Sequence, residues 1–297
     1  MAATTEQRHQ DGAGLQALPR VEALRRLMRA QLASAATLEP ALPGLARAAA
    51  LAARALGGEG RLIYVGAGSS GLMALADRLE LAGTFGIAPE RTPMLFAGGA
   101  GALLHLEGAT EDDPAQATAD LAALAPAAGD VALCVSASGA TPYTLACAEG
   151  LAAAGCHVVG IANVADSPLL AMAEVPILLD TGPEVVAGST RMAAGTAQKI
   201  ALNLVSTMLG IELGHVHEGF MVNVQADNAK LRGRASRIVA ALSGAGEAAS
   251  LAALEAGGGA VKPAVLIAAG ADAALAARLL KTHGGHLGPA LEALTKP

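Results

Sequence analysis

The sequence predicts a doubly wound α/β domain built on a parallel sheet, with helices before it and a small all-helical domain after it. Three observations carry that expectation. Short runs of branched apolar residues recur across residues 57–214 and alternate with helical stretches, the pattern of strands buried on both faces. Two of those runs pass directly into hydroxyl-bearing glycine turns that open a helix. The flanking regions have helical spacing and no strand-like runs.

Taken in order, residues 1–14 (MAATTEQRHQDGAG) have no apolar segment of the signal-peptide kind and read as a disordered tail. Residues 15–56 read as N-terminal helices: Leu24, Leu27, Met28 and Leu32 recur at helical spacing, and Pro40 and Pro43 break the pattern in two. The first strand is 61–65 (RLIYV), followed by the glycine turn GAGSSG and a helix over 72–82. The second is 94–97, and the third is 130–135 (DVALCV), leading into SASGATP and a helix over 143–154. The fourth is 157–162 (HVVGIA) and the fifth 175–179 (VPILL). A long helix follows over 192–210. Residues 215–242 form a linking segment with a helix over 225–242 that carries Lys230, Arg232, Arg234 and Arg237. Residues 243–297 fit a small domain of three short helices, 246–256, 261–269 and 271–281, with a final turn beyond.

Composition limits the function classes. Of 297 residues 53% are hydrophobic, yet there are only two Tyr, three Phe and no Trp, so the core must be built from Ala, Leu, Val and Ile. Small side chains pack poorly alone, which makes a buried subunit interface an expectation. Mean hydropathy is +0.46, but no run approaches the ~18 uninterrupted apolar residues of a spanning helix. The stretch 264–269 is closed by Lys262 and Pro263 before it and by Gly270 and Asp272 after it. A soluble, cytoplasmic protein without membrane contact is expected. Cys134, Cys147 and Cys156 form no CxxC and are odd in number, so they read as buried hydrophobes rather than a disulfide framework. A net charge of −6 without basic clusters argues against nucleic acid. An anionic ligand must then be held by local groups.

Two turns offer such groups. Gly66-Ala67-Gly68-Ser69-Ser70-Gly71 and Ser136-Ala137-Ser138-Gly139-Ala140-Thr141-Pro142 both follow a strand and open a helix. Glycine admits close backbone approach, and the unpaired first-turn amides point at an anion. The first turn matches GxGxxG, but a dinucleotide site wants an acid at the end of the second strand, where Phe96-Ala97-Gly98-Gly99 stands. No Lys follows the glycines, so a P-loop is excluded. Either turn alone is equally a tight βα connection with a capping Ser. Two built alike in one sheet point to a phosphorylated small molecule. A third block, residues 181–191 (TGPEVVAGSTR), precedes the long helix. Ser189 or Thr190 can cap that helix, and Arg191 in its first turn needs an anion or a carboxylate such as Glu184 to offset the macrodipole. His215-x-His217 has metal-ligand spacing but no third ligand nearby, so no metal is expected.

GAGSSG, SASGATPY, TGPEVVAGSTRMAAGTAQK and FMVNVQADNAKLRGRASRIV together resemble the N-acetylmuramic acid 6-phosphate etherases, sugar isomerase (SIS) domain proteins grouped with the glucokinase regulatory protein. The resemblance covers residues 60–237, continues more weakly through LLKTHGGHLGPAL, and rests above all on the TGPE…GSTR…GTAQK block. It implies a flavodoxin-like three-layer SIS domain over 57–214, a homodimer, a sugar-phosphate ligand and a lyase reaction that needs no cofactor. Glu80, in DRLELAGTFG, matches the acid of the family's D-x-x-E-C-P-P-T-F-G segment, with Leu81-Ala82-Gly83 in place of Cys-Pro-Pro. Glu111, in EGATEDD, matches the carboxylate of E-G-A-E-D, the base. The extra Thr110 keeps Glu107 open as the alternative. The resemblance assigns phosphate binding to Gly68, Ser69, Ser70, Ser136, Ser138 and Thr141, with Ser189, Thr190 and Arg191 nearby and Glu184 orienting the sugar or helping ring opening. It also admits a non-catalytic sugar-phosphate sensor of the glucokinase-regulator type, or a phosphosugar isomerase. The five aromatic rings all fall within the resembling stretch, which places them around a sugar phosphate.

Overall fold

The computed structural model describes residues 4–106, 108–224 and 229–295. They form two compact units, Met1–Leu79 with Pro89–Thr207, and Glu80–Ala88 with Met208–Pro297.

The first unit holds a parallel sheet of β1 (Leu62–Gly66), β2 (Met94–Phe96), β3 (Val131–Ser136), β4 (His157–Ala162) and β5 (Val175–Leu178), in the order β2-β1-β3-β4-β5. Every strand lies within a residue of its expected place, and the order is that of a doubly wound fold whose winding reverses between β1 and β3. Strands this apolar need cover on both sides, and every residue of β1 and β3 is buried. Ile63, Val65, Ala132, Cys134 and Val158 pack with Tyr143, Cys147, Ala148 and Leu151 of α5 (Pro142–Ala153). The alternate residues face the other way, and α2 (Leu42–Gly57) lies on β1, β3 and β5 through Leu45, Ala48, Ala49 and Ala52. Alanines here let the helix backbone come close to the sheet. All three cysteines are free and buried. Burial above all pushes Cys147 up to about 12 and Cys156 to about 11, so both are inert thiols at neutral pH.

Two helices of this unit have no counterpart in the sequence reading, α4 (Pro114–Leu124) and α6 (Pro168–Met172). The parts of α3 (Gly68–Phe85) and α7 (Ala193–Glu212) that belong to this unit are tied together through Asp77. Tyr64 Oη donates to Asp77 Oδ2 at 2.8 Å, while Asn203 Nδ2 and Ser206 Oγ donate to Oδ1 at 2.7 and 2.8 Å. This buried carboxylate thus fixes β1, α3 and α7 to one another by charge-assisted hydrogen bonds. On α1 (Arg20–Ala36) the apolar stripe Val21, Leu24, Met28 and Leu32 is 55–65% exposed, so the described residues leave it uncovered.

Several expectations are corrected. Residues 4–14 are not a free tail. Thr4–Glu6 and Gln10–Gly12 form 3-10 turns, Thr5 is buried, and its carbonyl accepts from Gly188 N at 3.1 Å. The aromatic rings do not surround an open site. Tyr64 and Tyr143 are fully buried with their hydroxyls on Asp77 and Asp120, and Phe96 is buried too. Their phenols serve the core, where an unpaired hydroxyl is costly.

The second unit pairs a short hairpin, β6 (Val216–His217) with β7 (Phe220–Met221), with five helices: α8 (Ala229–Ser243), α9 (Glu247–Ala256), α10 (Val261–Ala268), α11 (Ala273–Thr282) and α12 (Leu287–Thr295). Val222, Ile238, Val239, Leu254, Val265, Leu266 and Leu287 share one core. Therefore α8 is a packed member of this unit rather than only a link, and the chain closes on a full helix rather than a turn. The expected start of the linking helix at 225–228 lies outside the described residues. Among the described residues no single helix is long and apolar enough to cross a membrane.

Candidate functional site

Because β1 and β3 are parallel neighbours with Gly66 level with Val135, the turns that leave them emerge side by side. That is the crevice at the carboxyl edge where the winding reverses, the usual ligand position in such sheets. In the first turn α3 starts at Gly68, whose φ of +50° belongs to the left-handed region. Gly71 is required for a different reason. A Cβ there would stand 2.7 Å from Phe96 Cε2 and 2.9 Å from the Gly66 carbonyl carbon. Ser69 is half-buried and Ser70 buried.

The second turn is a hydroxyl cluster. Ser136 Oγ lies 2.8 Å from Thr141 Oγ1 and 3.4 Å from Ser138 Oγ, and accepts from Gly139 N at 3.0 Å. Ala140 N donates to Ser138 Oγ at 3.2 Å. Pro142 then opens α5, where its missing N–H costs nothing. The structure brings Ser136, Ser138 and Thr141 together as the sequence predicts. It adds Ser167, whose buried Oγ packs against Gly139 and has no hydrogen-bond partner among the described residues.

Glu111 joins the first turn. It sits in a 3-10 turn, Gly108–Asp112, and its carboxylate rests against the Cα of Gly68. Burial, and secondarily the neighbouring Asp112, push its pKa above the usual carboxylate range. A carboxyl group moved toward neutrality is a competent proton acceptor or donor. Glu107 lies outside the described residues. Gly68→Ala is expected to cost about 1 kcal/mol in stability through its positive φ, and to displace the Glu111 carboxylate, because the new methyl takes its place. Thermal unfolding and an NMR titration of the Glu111 carboxyl on one variant separate the two effects.

Glu184 is the correction in the third block. It is 1% exposed, and its Oε2 and Oε1 accept from Ala193 N and Ala194 N, each at 3.0 Å. Glu184, and neither Ser189 nor Thr190, therefore caps α7, matching a negative charge to the helix N-terminus. Ser189 and Thr190 are half-buried in the turn before it and Arg191 is exposed, with no ion pair to Glu184 among the described residues. Lys199 is exposed further along α7.

Sequence reasoning also missed a buried amide pair. Asn163, directly after β4, donates to Leu179 O at 2.9 Å and accepts from Gln198 Nε2 at 2.8 Å, joining β4, the end of β5 and α7. The one available signal was a polar residue closing an apolar strand run. Glu80 is not gathered with these groups by its helix. It is exposed on α3, three turns or roughly 18 Å of helical rise beyond Gly68. Around His215 and His217, no three His, Cys, Asp or Glu among the described residues are grouped to hold a metal ion.

Comparison with known proteins gives the family and the fold. Residues 28–163 match the SIS domain family. The chain is 44% identical to the N-acetylmuramic acid 6-phosphate etherase of Deinococcus radiodurans, over 95% of this chain and 93% of that protein. It is 43% identical to that of Streptomyces coelicolor over 98% and 94%, and 44% identical to that of Serratia proteamaculans over 86% of each. Among solved structures, a ligand complex of an Escherichia coli CFT073 protein superposes with a TM-score of 0.51 at 18% identity. It covers 68% of this chain and 95% of that one.

Proposed function

Since the chain belongs to the N-acetylmuramic acid 6-phosphate etherase family, we propose that it cleaves the D-lactyl ether of N-acetylmuramic acid 6-phosphate with Glu111 as base and Glu80 as acid. The observation that carries the reading is the Glu111 carboxylate, shifted toward neutrality and seated on Gly68 beside the hydroxyl-lined turns.

The ether itself is unreactive, so the reaction borrows acidity from the open-chain C1 aldehyde. Glu111 takes the C2 proton, the C3–O bond breaks, and Glu80 protonates the departing lactyl oxygen. Water then adds across the unsaturated aldehyde, hydroxyl to C3 and proton to C2, giving N-acetylglucosamine 6-phosphate and D-lactate. Elimination and hydration are redox-neutral, so two carboxyl groups in opposite protonation states suffice. Ser69, Ser70, Ser136, Ser138 and Thr141 hold the phosphate with the first amides of α3 and α5. Ser189, Thr190 and Arg191 border the sugar, and Glu184 acts on it through the cap that shapes their turn.

Both carboxyl groups must reach one sugar, yet Glu80 stands at the far end of α3 from Gly68. We therefore assign the acid to Glu80 of the partner subunit in a cytoplasmic homodimer. The uncovered apolar stripe on α1 supports self-association.

Incubation with N-acetylmuramic acid 6-phosphate is expected to release D-lactate and N-acetylglucosamine 6-phosphate in equal amounts. Tight binding of the sugar phosphate with no lactate released would make the protein a sensor instead.

A further inference from the structure

The connection that leaves β4 backs the second glycine turn, and two hydrogen bonds join them. Asn163 N donates to Ala137 O and Leu169 N donates to Gly139 O, each at 3.0 Å. These bonds pin the peptide groups on either side of Ser138–Gly139 and leave that peptide group itself unheld by the connection. Its N–H points back into the turn, toward Ser136 Oγ at 3.0 Å and Ser136 O at 3.2 Å. Rotation of this one peptide between two fixed neighbours falls on Gly139, whose φ is +64° and which, as glycine, adopts either sign of φ.

Ser167 is the second observation. It is 3% exposed, and a Cβ on Gly139 would strike its hydroxyl. It occupies the N-cap position of α6, yet its side chain makes no cap bond, and its Oγ has no partner among the described residues. A buried hydroxyl in that condition destabilises the arrangement that holds it, so an arrangement that gives it an acceptor is favoured. An anion at the start of α5 supplies the occasion. It attracts the Gly139 N–H, which is otherwise spent on Ser136. The N–H and C=O of a trans peptide point in opposite directions, so turning the N–H to the anion turns the Ser138 carbonyl back into the protein.

We propose that Ser167 is a positioning residue for the phosphate, its hydroxyl donating to the Ser138 carbonyl once the Ser138–Gly139 peptide has turned its N–H from Ser136 to the bound anion. Ser167 acts through the turn and does not touch the ligand. The inference rests on the phosphate reading of the glycine turns.

The test combines calorimetric titration of the full chain with N-acetylglucosamine 6-phosphate and its melting temperature without that ligand. Ser167→Ala is expected to weaken binding about tenfold, the loss of one buried hydrogen bond. The same change should leave the melting temperature unchanged or raised, because it removes an unpaired hydroxyl. In turnover of N-acetylmuramic acid 6-phosphate, KM should rise by a similar factor while kcat changes little, since the turn grips the phosphate away from the reacting carbons. Ser167→Ala binding as tightly as the unaltered chain would overturn the proposal. So would weaker binding together with a lower melting temperature, which marks a residue that only holds the fold. If the unaltered chain binds no N-acetylglucosamine 6-phosphate, the phosphate reading of the turns fails and takes this inference with it. That result is distinct from tight binding that is indifferent to Ser167.

Discussion

Co-expressed Glu80→Gln and Glu111→Gln chains are expected to recover about a quarter of wild-type D-lactate release, although each variant alone loses ~10²–10⁴-fold. The single losses follow from removing a positioned proton acceptor or donor while leaving shape and hydrogen-bonding reach intact. Sugar-phosphate affinity should therefore change little, since the hydroxyl turns and helix amides are untouched. Recovery on mixing follows from symmetry. In a two-fold dimer that shares its acid across the interface, random pairing makes about half the dimers mixed, and each mixed dimer has one site with both glutamates. If acid and base came from the same chain, every site in the mixture would carry one lesion and nothing would return. The pH profile gives a further check on Glu111. A base works deprotonated, and burial raises its pKa, so activity should fall as pH drops through a value above the ordinary carboxylate range. An acid limb in the usual Glu range would move the base role to another group.

Glu184→Ala should be the most destabilising single change among the site residues. It leaves two buried backbone amides at the start of α7 without an acceptor and removes the charge that offsets the helix dipole. Together these cost about 2–4 kcal/mol, or on the order of 10 °C in melting temperature. Glu184→Gln keeps one acceptor oxygen in place and should lose roughly half as much. Scanning calorimetry on the two variants separates a cap from a ligand. Unchanged melting temperatures with weakened sugar-phosphate binding would show that Glu184 serves the substrate directly.

Much of the fold was legible because each strand is an unbroken apolar run, and such runs must be buried on both faces wherever the chain folds. The turns were legible for a local reason too, since glycine beside serine after a strand leaves few other conformations. By contrast, α4 escaped because PAQATADLAAL is mostly alanine and small polar residues, with no periodic stripe. The N-terminal turns escaped because polarity alone suggests disorder, whereas contacts distant in sequence, such as that of Thr5 with Gly188, hold them. The cap on α7 was placed on the neighbouring Ser189 or Thr190 by proximity in sequence. The residue that reaches the amides is Glu184, because the intervening turn folds it back.

The sequence by itself determined the sheet, its two glycine turns and the family, since those rest on short local patterns and on one long specific block. Only the tertiary structure decided what the charged and polar groups do. Glu111 meets Gly68 across more than forty positions of chain, and its burial there shifts its proton affinity; Asp77 gathers three donors from two other elements; and Glu184 is fixed by helix amides. The physical reason is one of range. Hydrophobic patterning acts on neighbours a few residues apart, whereas desolvation and hydrogen-bond partnership depend on whatever the fold brings alongside, and a carboxylate reads the same in sequence whichever of these it meets.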